Sequence, residues 1–354
     1  MHPDAFLQIS FRRTGILRKQ VLVMKRTEGK DLVKNAVKGL GVLLLTLVFA
    51  LLLFLTASIW IIERGPSEEI RDMFVVTVQQ TSAAKPLAGL FLSKEEVESI
   101  LEAAKAQDDE LETDPSLIRL EEKKDLSGIT IEDVQGPTYK GKMMIVEDPS
   151  RVYVGTLAEY ETGKGMTLSQ IVEAEDAIGG INGGGFSDAA GLGNGDVPLG
   201  IVISRGEWRN GSKSGRHKLI GIDGNNRLVI GNMTGNEAIE KGIRDAVAWG
   251  PALIVNGEAV DVGKGGGLNP RTAIGQRADG AMLLLVVDGR QPSSMGATYL
   301  DLIGIMEGYG AVNAANLDGG NSSSMVYEGK TITTPASLFG EREIPTFILV
   351  EKRD

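Results

Sequence analysis

The stretch "KMMIVEDPSRVYVGT", residues 142–156, places an apolar, partly β-branched run on each side of an Asp148-Pro149 pair. Proline fixes φ and lacks an N–H, and aspartate can bond the backbone two residues on, so the pair predicts a turn and its flanks predict strands. The same pattern returns in "GIVISRGEW" (200–208), "RLVIG" (227–231), "PALIVNGEAV" (251–260), "AMLLLVVDGR" (281–290) and "TFILVE" (346–351). Helical periodicity is rarer. "MTLSQIVEAEDA" (166–177) and "TYLDLIGIMEGYG" (298–310) carry it, the second with Leu300, Ile303 and Met306 or Glu307 at helical spacing. Many strands with occasional helices predict an α+β domain, a mixed β-sheet with a few packed helices, over residues 129–354.

Upstream the chain changes character twice. Residues 40–62, "LGVLLLTLVFALLLFLTASIWII", carry no charge over 23 positions, enough for a helix to cross a hydrocarbon core of about 30 Å. A stretch apolar on every face reads as a membrane span rather than a core helix, and this one starts too late and runs too long for an ordinary signal peptide. Arg12, Arg13, Arg18, Lys19, Lys25, Arg26, Lys30, Lys34 and Lys38 precede it against Asp4, Glu28 and Asp31, while Glu63 and Arg64 balance just after it. The positive-inside rule then makes residues 1–39 a basic cytoplasmic tail and puts the chain after residue 62 outside the cell membrane, with Trp60 at the outer interface.

Residues 63–128, rich in Glu, Lys, Ala and Leu, predict an extracytoplasmic helical stalk or linker. Within it Ser93 and Glu96 have the spacing of a capping box, followed by Val97, Ile100, Leu101 and Ala104 on one face, and Ile70, Phe74 and Val78 make a second stripe. Such faces either join two copies or pack on the following domain, so the oligomeric state stays open. "DDELETD" (108–114) reads as a solvated, flexible connection, and residues from about 129 onward are expected to fold without span or stalk.

A net charge of −10 argues against a nucleic-acid partner, which needs concentrated Lys and Arg. The absence of cysteine removes disulfides, thiolate metal sites and a cysteine nucleophile, and of the two histidines only His217 could serve a serine triad. "TGKGMT" (162–167) and "GKGGG" (263–267) lack Walker spacing and read as turns. What remains is a set of polar residues beside glycines at the ends of apolar runs. Glycine runs let a backbone approach a ligand and expose N–H groups to anions. Arg271 and Arg290 have the planar fork suited to phosphate, and Asp188, Asp288 and Asp318 are the acids available for proton transfer or covalent work.

Taken in order, "INGGGF" (181–186), "WGPALIVNGEAV" (249–260), "PRTAIG" (270–275), "VVDGR" (286–290) and "NLDGGNSSSM" (316–325) resemble the phosphodiester glycosidase family, of the uncovering-enzyme type, over residues of about 140–352. The resemblance implies an extracytoplasmic hydrolase that splits a sugar-1-phosphodiester in a cell-surface glycopolymer or exopolysaccharide. On that basis Asp288 and Asp318 are expected as a catalytic pair and Arg271 as the phosphate clamp, with the amides of Gly183, Gly184 and Gly185 assisting and Asn182 orienting the ligand. Thr272, Arg290, Gly319, Gly320, Asn321, Ser322 and Ser323 complete the expected binding set. No cofactor is required by the sequence, and a Ca²⁺ or Mg²⁺ on the same carboxylates is compatible with it. A non-catalytic receptor for an anionic wall polysaccharide would keep Arg271, the glycines and the serines without needing two acids. A membrane-anchored scaffold with structural glycine turns is a third reading.

Overall fold

The computed structural model describes residues 4–81, 84–120, 128–187, 194–263, 265–337 and 339–353, with side chains from residue 34 onward. Asp188 lies outside the described residues. The chain divides into two units, residues 1–61 and 62–354.

The first unit is helix α1 (Asp4–Arg64), whose last three residues belong to the second unit. Its part from Lys34 to Arg64, whose most apolar window has a mean hydropathy of 2.8, is long and apolar enough to cross a membrane and has no buried residues in that window.

Three sheets make up most of the second unit, with strands numbered in chain order. The largest runs β1 (Ile129–Gln135), β2 (Lys140–Val146), β13 (Met282–Val287), β12 (Arg271–Arg277), β14 (Ala311–Asn316), β10 (Ala252–Val255) and β11 (Glu258–Ala259). A second runs β16 (Lys330–Thr331), β15 (Met325–Tyr327), β4 (Ala177–Asn182), β17 (Thr346–Glu351) and β3 (Val152–Thr156). The third runs β6 (Glu207–Asn210), β5 (Val202–Ser204), β9 (Ile243–Ala248), β7 (Arg216–Asp223) and β8 (Leu228–Thr234). Helices α4 (Leu168–Ala174), α5 (Gly235–Glu240) and α6 (Tyr299–Gly308) pack on them. This is the α+β class expected, and every pairing between named strands is antiparallel.

The Asp148-Pro149 turn forms, with Asp148 Oδ1 accepting from Ser150 N at 2.9 Å. It is a corner rather than a hairpin. β2 pairs with β1 and β13, while β3 pairs with β17, so the turn carries the chain from one sheet to another. One core spans all three sheets, with Met144, Ile181 and Val247 among its members. Every residue of β13 has zero exposure, which is why "MLLLVV" lacks the alternation of a half-solvated strand. In α6 the buried face is Leu302, Ile303, Ile305 and Met306, and Leu300 is 60% exposed, so the expected stripe is rotated toward Leu302.

The segment between α1 and β1 departs from a stalk. Helices α2 (Glu68–Gln79) and α3 (Lys94–Ala103) form, and the capping box of Ser93 and Glu96 is present. Their faces close on each other around Val75, Val76, Ala88, Leu92, Val97 and Ile100, and α2 bonds the domain through Thr77, whose Oγ1 accepts from Leu268 N at 3.0 Å. The two stripes thus meet each other, with Ile70 left 57% exposed, and α2 reaches the following domain through polar contacts. "DDELETD" is solvated only in part: Asp109, Glu110, Glu112 and Asp114 are exposed, but Asp108 and Thr113 are buried, Asp108 pairs with Lys218 and accepts from Ala252 N, and Thr113 exchanges bonds with Ile230. Charges that look solvated in sequence are here the partners of otherwise open backbone groups.

Candidate active site

Strand β12 lies antiparallel between β13 and β14, so its first residues sit beside the last residues of both. Arg271 is opposite Val287, and Ala273 is opposite Asn316. The loops that follow β13 and β14 thus deliver Arg290 and Asp318 to the edge where Arg271 begins. Asn182, at the end of β4 and fully buried, ties the second sheet to this edge. Its Nδ2 donates to Asp318 O at 2.7 Å, and its Oδ1 accepts from Thr272 Oγ1 at 2.7 Å and Ser324 N at 3.2 Å. Asn182 and Thr272 therefore shape the loop that carries Asp318 rather than touching a ligand.

A cleft of about 630 Å³ opens at this edge, within the usual size of small-molecule sites. Among the described residues its charged lining is Lys85, Arg271, Arg290, Arg342 and one carboxylate, Asp318. In a protein of net charge −10, this local excess of cations concentrates anions. Gly319, Gly320, Asn321 and Ser322 line it as expected, while Ser323 is buried behind it with a hydroxyl that has no hydrogen-bond partner among the described residues.

Arg290 is held in a strained αL backbone (φ 58°) by the turn after β13. Its NH1 donates to Asn321 Oδ1 at 2.9 Å and its NH2 to Asn269 Oδ1 and Thr81 Oγ1, both at 3.1 Å. Although the residue as a whole is exposed, the surroundings of its guanidinium strip away water and, with the Arg271 charge, lower its pKa, while the Asp318 charge raises it.

Arg271 lines the cleft but is 4% exposed, and its guanidinium stacks 4.2 Å from the Tyr299 ring centre. Its Nε donates to Ala297 O at 3.1 Å, and one NH2 donates to the carbonyls of Gly266 and Gly267. The "GKGGG" run, read as an ordinary turn, is thus the carbonyl cradle of this arginine. Gly266 needs to be glycine: its φ is 72° and a Cβ would stand 2.3 Å from the Tyr299 ring. With three bonds and a ring already engaged, Arg271 is less a mobile clamp than a buried positive charge behind the cleft.

Two other expectations are corrected. The amides of Gly183, Gly184 and Gly185 donate to Thr346 O, Thr346 Oγ1 and Ala248 O, so they serve the fold and not an anion. Gly185 instead makes room for Trp249, a cleft residue whose ring would lie 2.0 Å from a Cβ there. Asp288 is not brought into the cleft. Its Oδ1 accepts from Thr334 N at 2.9 Å, and burial pushes its carboxyl above the usual range against that bond. The two acids therefore do not share a site, and among the described residues no group of three or more His, Asp or Glu converges that could hold a metal ion. His217, with Nε2 buried and unpartnered among the described residues, also lies outside the cleft lining.

Several cleft residues escaped the sequence reading. Asn316 and Trp249 stand inside quoted motifs. Asn316 donates through Nδ2 to Gly250 O at 2.9 Å, and its Oδ1 is buried with no partner among the described residues. Asn269, Tyr299 and Arg342 had no local signal, and neither had Gln79, Gln80, Thr81 and Lys85, which reach the cleft from α2 and the turn after it.

The fold and cleft define an α+β protein with an anion-attracting site built where the loops of three sheets meet. Residues 175–351, half of the chain, match the phosphodiester glycosidase family, and the chain belongs to that family. It is 31% identical over 196 residues to the SPbeta prophage-derived uncharacterized protein YomE of Bacillus subtilis (strain 168), a match covering 52% of this chain and 29% of that protein's length. In structure it resembles the catalytic domain of zebrafish N-acetylglucosamine-1-phosphodiester α-N-acetylglucosaminidase, auto-inhibited by its pro-peptide, with a TM-score of 0.56 and 21% identity over 70% of this chain and 88% of the other. At that identity the likeness is one of fold.

Proposed function

We propose that the chain hydrolyses a sugar-1-phosphodiester of a cell-surface glycopolymer or exopolysaccharide, anchored by α1 with the cleft outside the cell membrane. The observation that carries this reading is the carboxylate of Asp318, the one acid lining the cleft among the described residues, set among Lys85, Arg271, Arg290 and Arg342. Phosphate is already a good leaving group, so the transition state needs its negative charge stabilised more than it needs a second acid to protonate it. In this mechanism Asp318 takes the proton of a water that attacks the anomeric carbon. The bond from that carbon to the phosphate oxygen breaks, and a free sugar and a phosphomonoester leave. Arg290, held by Asn321, Asn269 and Thr81, meets the departing phosphate, and Arg271 supplies its charge from behind. Trp249, an aromatic ring in the cleft lining, suits the face of the sugar ring. A screen of the full chain against α-linked sugar-1-phosphodiesters tests the reading. Asp318→Asn keeps the shape of the loop but removes the base, so the rate on a responsive substrate is expected to fall about 10²- to 10⁴-fold.

The separation of Asp288 from the cleft favours one alternative, a non-catalytic binder of anionic wall polysaccharide, which needs no pair of acids. Under that reading no phosphodiester is turned over, and Asp318→Asn, by removing a negative charge, strengthens polymer binding.

A further inference from the structure

The matched family region does not account for the whole cleft. Gln79, Gln80, Thr81 and Lys85 form one wall of it, and they lie upstream of residues 175–351. They are bonded to the residues that build the site: Gln80 Oε1 accepts from Asn269 Nδ2 at 2.9 Å and Thr81 Oγ1 from Arg290 NH2 at 3.1 Å. Packing is equally close, since a Cβ on Gly267 would lie 2.6 Å from Thr77 Oγ1. Behind this wall α2 and α3 have a small core of their own. Lys85 is exposed at the wall, and no carboxylate pairs with it among the described residues. Among the described residues the cationic side chains of the cleft outnumber its carboxylate, Asp318, so the cleft favours an occupant that brings more than one negative charge.

We propose that Gln79, Gln80, Thr81 and Lys85 form a substrate-selecting wall, and that Lys85 binds a second anionic group, so that the cleft prefers glycosyl phosphodiesters bearing a further phosphate or carboxylate. The inference rests on the glycosidase reading above and adds the substrate class. Repeating anionic polymers have this chemistry, with a second charge one unit away from the bond to be broken.

The test uses the full chain in detergent with two probes, a glycosyl-1-phosphoglycerol and the same compound carrying a second phosphate on its glycerol. The parent protein is expected to favour the bisphosphate. Lys85→Ala should reduce that preference about tenfold in kcat/KM, chiefly through KM, as expected for one lost charge-assisted hydrogen bond. Lys85→Arg should retain most of it, and Lys94→Ala, whose lysine pairs with Glu98 on the same segment, should retain all of it. An unchanged preference in Lys85→Ala overturns the proposal, as does an equal loss in Lys94→Ala. Faster turnover of both probes by Lys85→Ala also overturns it, because the wall would then be a plug. If neither probe is hydrolysed, the glycosidase reading fails instead, and calorimetric binding of the two probes still decides the role of Lys85. Tighter binding of the bisphosphate that Lys85→Ala removes supports the wall, and equal binding of both probes refutes it.

Discussion

At the level of single residues the two acids separate by environment. Asp288 has its carboxyl pushed up by burial, so its folded pKa exceeds its unfolded one. The native state then prefers the protonated form, and stability is lost as pH rises from the unfolded carboxyl's value through the folded one, with no further loss above it. Asp288→Asn keeps an acceptor for Thr334 N and cannot ionise. It is expected to be at least as stable as the parent at pH 7, with the advantage shrinking as pH falls through the folded value toward about 4 and gone below it, where the unfolded carboxylate also protonates. Thermal melts across that pH range check the sign, and phosphodiester hydrolysis should stay within a few-fold of the parent. Arg271→Lys behaves otherwise, since lysine cannot reproduce the stack on Tyr299 or the bonds to Ala297, Gly266 and Gly267. A drop in Tm on the order of 5–10 °C is expected, from a few kcal/mol of lost charged hydrogen bonds. An unperturbed melt with lost activity would instead return Arg271 to the role of ligand clamp.

Among the elements, the helices upstream of β1 decide where the folded unit begins. A chain starting at residue 129 keeps all five family motifs but loses the fully covered Ile118, the bridge between Glu112 and Gly231, and the Asp108 contacts to Lys218 and Ala252. It also loses Thr77, Gln80 and Thr81 from the cleft edge. Burial of one large aliphatic side chain contributes about 1.5–3 kcal/mol, and each orphaned buried polar group costs a comparable amount. A truncated protein of residues 129–354 is therefore expected to melt at least about 10 °C below one of residues 66–354, or to aggregate. Equal melts for the two would show that the upstream helices rest on the domain without supporting it.

For the protein as a whole, the basic first 39 residues and the uncharged span predict an anchored protein with its cleft outside. Protease added to intact protoplasts should remove the carboxyl-terminal domain, while an alkaline wash should leave α1 in the membrane pellet. Protection of the domain would reverse the topology. Recovery of the domain in the medium, with a new amino terminus beyond residue 62, would make α1 a cleaved signal.

The features legible in the amino-acid order alone are local ones. The apolar span, the strand runs, the capping box at Ser93 and the family motifs all follow from patterns a few residues to a few turns long, because hydrogen-bond geometry and hydrophobic period repeat on that length. Asp318 and its loop were legible for the same reason, being a polar cluster with glycines at a strand end. Which groups share the cleft is settled by long-range packing. "INGGGF" and "VVDGR" each end a strand with a site-like signature, yet the register of β4 against β17 turns the Gly183 amide onto Thr346, and Asp288 turns to Thr334. Conversely Arg342, Tyr299 and the wall of Gln79, Gln80, Thr81 and Lys85 carry no local signal and arrive only when distant segments pack together. Whether an N–H, a carboxylate or an ammonium is available to a ligand depends on what else lies within about 3 Å of it, and that is set by segments far apart in the chain.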